Sequence, residues 1–343
     1  MLTGEPQVGH RSPGLMATNA VAALAADRAI GEPFVQALWD QPIPTGQYRY
    51  YDGLLVMLGL LQVSGNFRIY EPGSAPTGQV FPTPKPEVDG KFAPPLGKAL
   101  LLVGPDKESA DAYFEATVTA PGGVAVIIDS QLNGMEDLDD LAGRYPNSIL
   151  SIGVDLGDSP DTISAEQIDT LLDTLNSYNR PVFLRLAFGS EDAPDAFVSV
   201  WETFHERMQA KGAALGDSNG SLNLALVWES ASCEQSDLAR WYPGDQSVDW
   251  IGANYECPHQ AIQFAREHFI PAMLTAASPG TDEWFAPFFQ FVVDHNDVVR
   301  AVTYVNEGES RLSNGDIVKT WKDESRGSFW LRGGPDLFGA LSQ

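Results

Sequence analysis

From residue 97 onward the apolar positions fall into short continuous runs separated by longer amphipathic stretches. The runs are 98–103 (KALLLV), 123–129 (GVAVIID), 148–154 (SILSIGV), 181–187 (PVFLRLA), 222–228 (LNLALVW), 248–255 (VDWIGANY), 270–275 (IPAMLT) and 300–306 (RAVTYVN). Runs this short, without strict alternation, read as strands buried on both faces, as in parallel sheets. Helical spacing fills the intervals 106–118, 135–144, 164–178, 195–213, 235–241, 259–268 and 283–294. Eight strands with helical crossovers over about 250 residues predict a (β/α)8 TIM barrel, class α/β. A doubly wound open sheet is the alternative, but it rarely needs eight strands.

The chain before residue 97 follows another pattern. Ser12-Pro13 is a helix start, an N-cap followed by proline at the first helical position. Ala17 to Ala26 is rich in the best helix former. Phe34, Val35, Leu38 and Trp39 recur at helical spacing, and Pro42 to Gly46 breaks the chain. From Tyr50 to Val63 the run is apolar nearly all round, the pattern of a helix enclosed in a larger body. Two or three such helices cannot bury their own faces. Residues 71–95, with proline at nearly every fourth place, read as an extended, semi-rigid linker.

Two segments of this early part, "SPGLMATNAVAALAA" and "FVQALWDQPIPTGQYRYYDGLLVMLGLLQVSGNFRIY", resemble the last helices of glycoside hydrolase family 8. That family is an (α/α)6 barrel whose members cut xylan, xylo-oligosaccharides and β-glucans. The resemblance implies that residues 1–70 are a helical remnant of that fold. The family's acid and base lie in the earlier part, so no catalytic role passes to these residues. The expected layout is a helical segment at 1–70, a linker at 71–95 and a barrel at 96–343.

Composition narrows the function. Hydrophobic content of 43% supports a sizeable core and argues against disorder. A formal net charge of −25 repels phosphate backbones, so a nucleic-acid partner is not expected. Apolar runs such as Leu54 to Leu61 are far too short to cross a bilayer. No signal peptide opens the sequence, because Met1 to Pro13 is polar and broken by glycine and proline. A secreted glycan enzyme carries one. The expectation is therefore either a cytoplasmic protein or a truncated one whose parent is extracellular.

The stretch from Trp241 to Tyr255 combines a Pro243-Gly244-Asp245 turn, a buried strand and an aromatic residue at either end. Its "WYPGD..VDWIG" resembles the strand-6 region of glycoside hydrolase family 26 and its relatives, which include β-mannanases and β-1,3-xylanases. The resemblance implies a retaining site: an acid/base after strand 4 and a nucleophile ending strand 7. Their carboxyl groups would stand about 5–5.5 Å apart. Aligned on Arg185, the acid/base position falls on Phe188 or Gly189. Aligned on Pro271 and Pro279, the nucleophile position falls on Ala276. None of these side chains transfers a proton or forms a glycosyl ester.

What the resemblance then implies is a pseudoenzyme: a barrel that binds a plant cell-wall polysaccharide such as xylan or mannan, accessory to a family 8 domain. An active hydrolase with relocated carboxylates is the second reading. Glu229 and Glu256 end neighbouring strands and come first, and Glu191 would need a two-residue shift. A structural barrel without ligand is the third. Arg185, Trp228, Trp241, Tyr255, Trp284 and Asn306 are the candidate sugar contacts at or near strand ends, with core packing as the plain alternative for the aromatic ones. Cys233 and Cys257 follow strands 5 and 6 and could pair, or hold zinc with His259, a weak three-ligand pattern. Neither a metal nor another cofactor is expected.

Overall fold

The computed structural model describes residues 12–26, 28–65, 88–157, 163–187, 193–215, 222–229, 237–278, 284–312 and 315–341. The chain divides into two compact units, Met1–Pro82 and Thr83–Gln343. The expected linker lies mostly outside the described residues.

In the first unit, α1 (Pro13–Ala22), α2 (Arg28–Trp39) and α3 (Arg49–Val63) pack through a small core of Ala17, Ala20, Leu38 and Val56. Ser12 caps α1 and Pro13 occupies its first position. Gly59 lets α3 approach α1, since a Cβ there would stand 3.0 Å from the Ala17 methyl. Leu15, Ile30, Phe34, Trp39, Leu54 and Met57 remain exposed on this unit.

The second unit is a closed parallel barrel. Its strands are β1 (Ala99–Gly104), β2 (Gly123–Asp129), β3 (Ile149–Asp155), β4 (Val182–Ala187), β5 (Leu224–Glu229), β6 (Trp250–Asn254), β7 (Ala272–Ala277) and β8 (Val299–Val305). Each pairs with the next, and β1 closes the ring by pairing with both β2 and β8. A two-residue strand, β9 (Trp330–Leu331), adds to β1. Outside run α4 (Lys107–Thr117), α5 (Leu138–Arg144), α6 (Ala165–Ser177), α7 (Pro194–Ala214), α8 (His259–His268), α9 (Phe285–Asp294), α10 (Gly315–Ser325) and the short α11 (Leu337–Ala340). Ser164 and Gln167 form a full capping box on α6.

Alternation along each strand sorts the core into two layers. One set, including Leu100, Ile149, Phe183, Val227, Trp250 and Met273, fills the barrel interior. The other set, including Val103, Val126, Ile152, Leu226, Ile251 and Val302, packs under the helices. Of the expected helix at 235–241, residues 235 and 236 lie outside the described residues, and Leu238–Arg240 form a 3-10 turn. Pro243 follows closely and disfavours helical backbone before it. Gly244 then takes φ +104°, the left-handed conformation that a proline-led turn demands of its next residue.

The lower end of the barrel, at the strand N-termini, is sealed by the segment leading into β1. Trp250 Nε1 donates to the Lys91 carbonyl at 2.7 Å, and Phe92 sets its ring edge-on to Phe183 at 6.4 Å. Gly90 is required by contact: a Cβ there would lie 2.5 Å from the Asp249 carbonyl oxygen.

Candidate functional site

At the upper end, inward-facing positions of six consecutive strands touch in sequence. On β2, Ile127 is apolar and yet 55% exposed. On β3, Gly153 leaves space beside it, where a Cβ would lie 3.4 Å from Ile127 and 3.0 Å from Arg185 Nη2. Arg185 on β4 fills that space. Its Nη1 faces Glu229 Oε2 on β5 at 3.6 Å. Gly252 on β6 makes room for the Glu229 chain, since a Cβ there would stand 3.1 Å from Glu229 Cβ and 2.9 Å from Thr275 Cγ2. Thr275 on β7 completes the arc and donates its hydroxyl to Glu229 Oε1.

Two glycines thus give room to two long charged side chains that meet on the neighbouring strands β4 and β5. Both are largely withdrawn from solvent, so each needs the other. The Arg185 Nε is buried and has no hydrogen-bond partner among the described residues.

The remaining strand-end acids have local duties or stand apart. Asp129 accepts from the Gln131 and Asn133 amides and from Asn133 Nδ2, and these bonds hold its carboxyl below the usual range. Asp155 accepts from the Gly157 amide. Glu256 is exposed, and its backbone amide donates to Asn254 Oδ1. Glu229 is bound to Arg185 and Thr275, and no contact joins it to Glu256 among the described residues. Glu191, Phe188 and Gly189 lie outside the described residues. Ala276 is half-buried, and its carbonyl accepts from the Tyr255 amide.

The candidate sugar contacts do not come together. Trp228 is fully buried on the outward face of β5, where Nε1 donates to the Trp241 carbonyl and the ring packs on Tyr242 and Phe264. Trp241 is buried against Phe197. Asn306 is a buried clamp: Nδ2 donates to the Ser109 carbonyl and Oδ1 accepts from the Leu312 amide. These three side chains hold the helix layer and the loops in place. Burial also pushes the Tyr304 hydroxyl well above its ordinary range; it donates to the Ser310 carbonyl. Tyr255 and Trp284 are half-buried and share one cluster, with ring centroids 5.2 Å apart and Trp284 stacked on Phe288 at 4.4 Å. Arg185 alone of the six stands in the arc at the mouth. Ile127, Gly153, Gly252 and Thr275 were not singled out from sequence; the glycines standing in otherwise apolar strands are the trace they leave there.

Cys257 is disulfide-bonded, and Cys233, the chain's other cysteine, lies outside the described residues. That leaves the Cys257 thiolate unavailable to zinc. No group of three or more His, Cys, Asp or Glu side chains suited to a metal appears among the described residues. No helix among them is long and apolar enough to cross a membrane.

The closed ring of eight parallel strands surrounded by helices is a (β/α)8 barrel. The fold is shared, at TM-score 0.53 and 15% identity, with a GH26-CBM35 β-(1,4)-mannanase from Podospora anserina, over 76% of this chain and 72% of that one. The sequence is 31% identical over 334 aligned positions to a β-1,3-xylanase from a Vibrio species, covering 74% of this chain and 70% of the relative. A β-1,3-xylanase from an Alcaligenes species is 29% identical over 74% of this chain and 69% of its own. The chain belongs to the family of these β-1,3-xylanases. A further stretch of 71 residues, 20% of this chain, is 47% identical to a reducing-end xylose-releasing exo-oligoxylanase from Paenibacillus barcinonensis, of which it covers 19%. No family model matches the sequence.

Proposed function

We propose that the barrel binds a neutral cell-wall polysaccharide, β-1,3-xylan first and other xylans or mannan after it, without cleaving it. In this reading it is an extracellular accessory to a family 8-type catalytic domain. The observation that carries the proposal is the state of Glu229. Glycosidic cleavage by a carboxylate pair needs one group free to exchange a proton and a second to attack or to activate water. Glu229 is the acid built into the arc, and it is held by Arg185 and Thr275. The positions matching the family's two carboxylates carry Phe188 or Gly189 and Ala276. What remains suits binding: an apolar surface at Ile127 beside the paired Arg185 and Glu229.

The test is retention on insoluble β-1,3-xylan, β-1,4-xylan and mannan, assayed alongside release of reducing sugar. Retention on β-1,3-xylan with no sugar released is the expected result. Release that disappears in Glu229→Gln or Glu256→Gln would instead establish hydrolysis by relocated acids. No retention on any polymer would leave a structural barrel.

A further inference from the structure

The end of the barrel opposite the mouth carries a concavity. It lies where the C-terminal ends of α4 and α5 meet the start of β3, and its volume is about 350 Å³. That is toward the lower end of the range of small-ligand pockets, about 300–1,000 Å³. Its wall includes Phe114, Glu115, Arg144, Tyr145 and Asn147.

The chemistry of this lining selects a ligand class. Arg144 is the one cation among the described lining residues, and it is held by Asp111 and Asp140. Asp111 also accepts from the Tyr145 hydroxyl at 2.7 Å. With Glu115 adding negative charge beside them, an anion finds no unspent counter-charge there. Three groups are left over. The Phe114 ring is 44% exposed and is held in orientation by an edge contact with Tyr145 at 6.3 Å. The Asn147 side chain is exposed and makes no hydrogen bond among the described residues, while its backbone carbonyl is fixed by the Gly334 amide. The Glu115 carboxylate is likewise exposed. One flat apolar face flanked by an amide, which donates and accepts, and by an acceptor matches a neutral polyol ring. Its CH face covers the aromatic ring and its hydroxyls reach the polar pair.

We infer that this concavity is a second carbohydrate subsite, taking a neutral pyranose unit at the end of the barrel opposite the mouth. The ligand class rests on the polysaccharide-binding reading above; the location does not. Two sites at opposite ends would let one barrel hold two glycan chains, with the gain in retention that bivalence brings.

The experiment is calorimetric titration of the full chain with β-1,3- and β-1,4-linked xylotetraose. Wild type is expected to take two equivalents of at least one of them. Phe114→Ala removes one equivalent or weakens it about tenfold, the loss expected for one aromatic contact. Asn147→Ala acts the same way, and Phe114→Trp restores binding. Unfolding midpoints of all variants are recorded, so that a folding defect is not read as lost binding. One equivalent abolished by Ile127→Ala and untouched by Phe114→Ala and Asn147→Ala would overturn the second subsite and leave the mouth reading standing. One equivalent abolished by Phe114→Ala and untouched by Ile127→Ala would keep the subsite and overturn the mouth. No binding of either sugar would overturn both.

Discussion

The two ends of the barrel are built from the same eight strands and differ in what they leave undone. At the lower end large side chains fill the interior, a segment of backbone covers them, and the Trp250 indole is answered by the Lys91 carbonyl. At the upper end glycines replace bulk at Gly153 and Gly252, two charges are buried against each other, and Ile127 faces solvent. On the barrel axis, inside the rim that carries the Phe114 concavity, the first arrangement spends its surface on stability; the second leaves apolar surface open to solvent. That division can be broken by substitution.

The largest effect is expected from the lower end. Phe183→Ala removes a fully buried ring that touches both Phe92 and Trp250, and should cost about 4 kcal/mol in urea unfolding. The folded fraction should still be retained on xylan. Loss of retention without loss of stability would show that the two ends are not separable.

Next comes the ion pair. Glu229→Ala leaves the Arg185 guanidinium buried and uncompensated, and should cost about 3 kcal/mol. The double change Arg185→Met with Glu229→Leu should recover most of that stability while still losing polysaccharide, because the polar pair beside Ile127 is gone. Full stability in the single variant would mean that the charges reach solvent more freely than their burial indicates.

Ile127→Ala sharpens the comparison from the other side. The side chain is mostly exposed, so unfolding free energy should move by no more than about 0.5 kcal/mol. Affinity for xylan should nevertheless fall several-fold. The smallest effect concerns Asp249, under the lower end. Burial pushes its carboxyl up, against the Leu226 amide bond and the charges of Lys91 and His205. A raised folded-state value means that the native state holds its proton longer than the unfolded chain does. Stability should therefore decline slightly as pH rises from the ordinary aspartate range through that raised value. Asp249→Asn keeps an acceptor for Leu226 and should flatten the decline in a pH series of thermal midpoints.

Much of the fold was legible in the sequence. The run at 123–129 and the helical pattern at 259–268 coincide with β2 and α8, and the other strands fall within two residues at either end. The barrel mouth was less legible, for one physical reason. Strands covered on both faces carry apolar residues at odd and even positions alike, so sequence does not show which set points inward. Trp228 and Glu229 are neighbours at the end of β5; the first points under the helices and the second into the barrel. Ile127 was hidden in the same way, inside a run that reads as uniform core. Asn306 looked like a ligand group because its clamp joins α4 to the loop before α10, a pairing that only the closed barrel creates.

Because guanidinium and carboxylate cancel within the arc, a neutral glycan resting on that pair meets no net charge from it, although the molecule as a whole is strongly acidic. Added sodium chloride would screen the outer surface and leave that contact nearly untouched. Adhesion of this kind should hold in seawater as well as in dilute buffer.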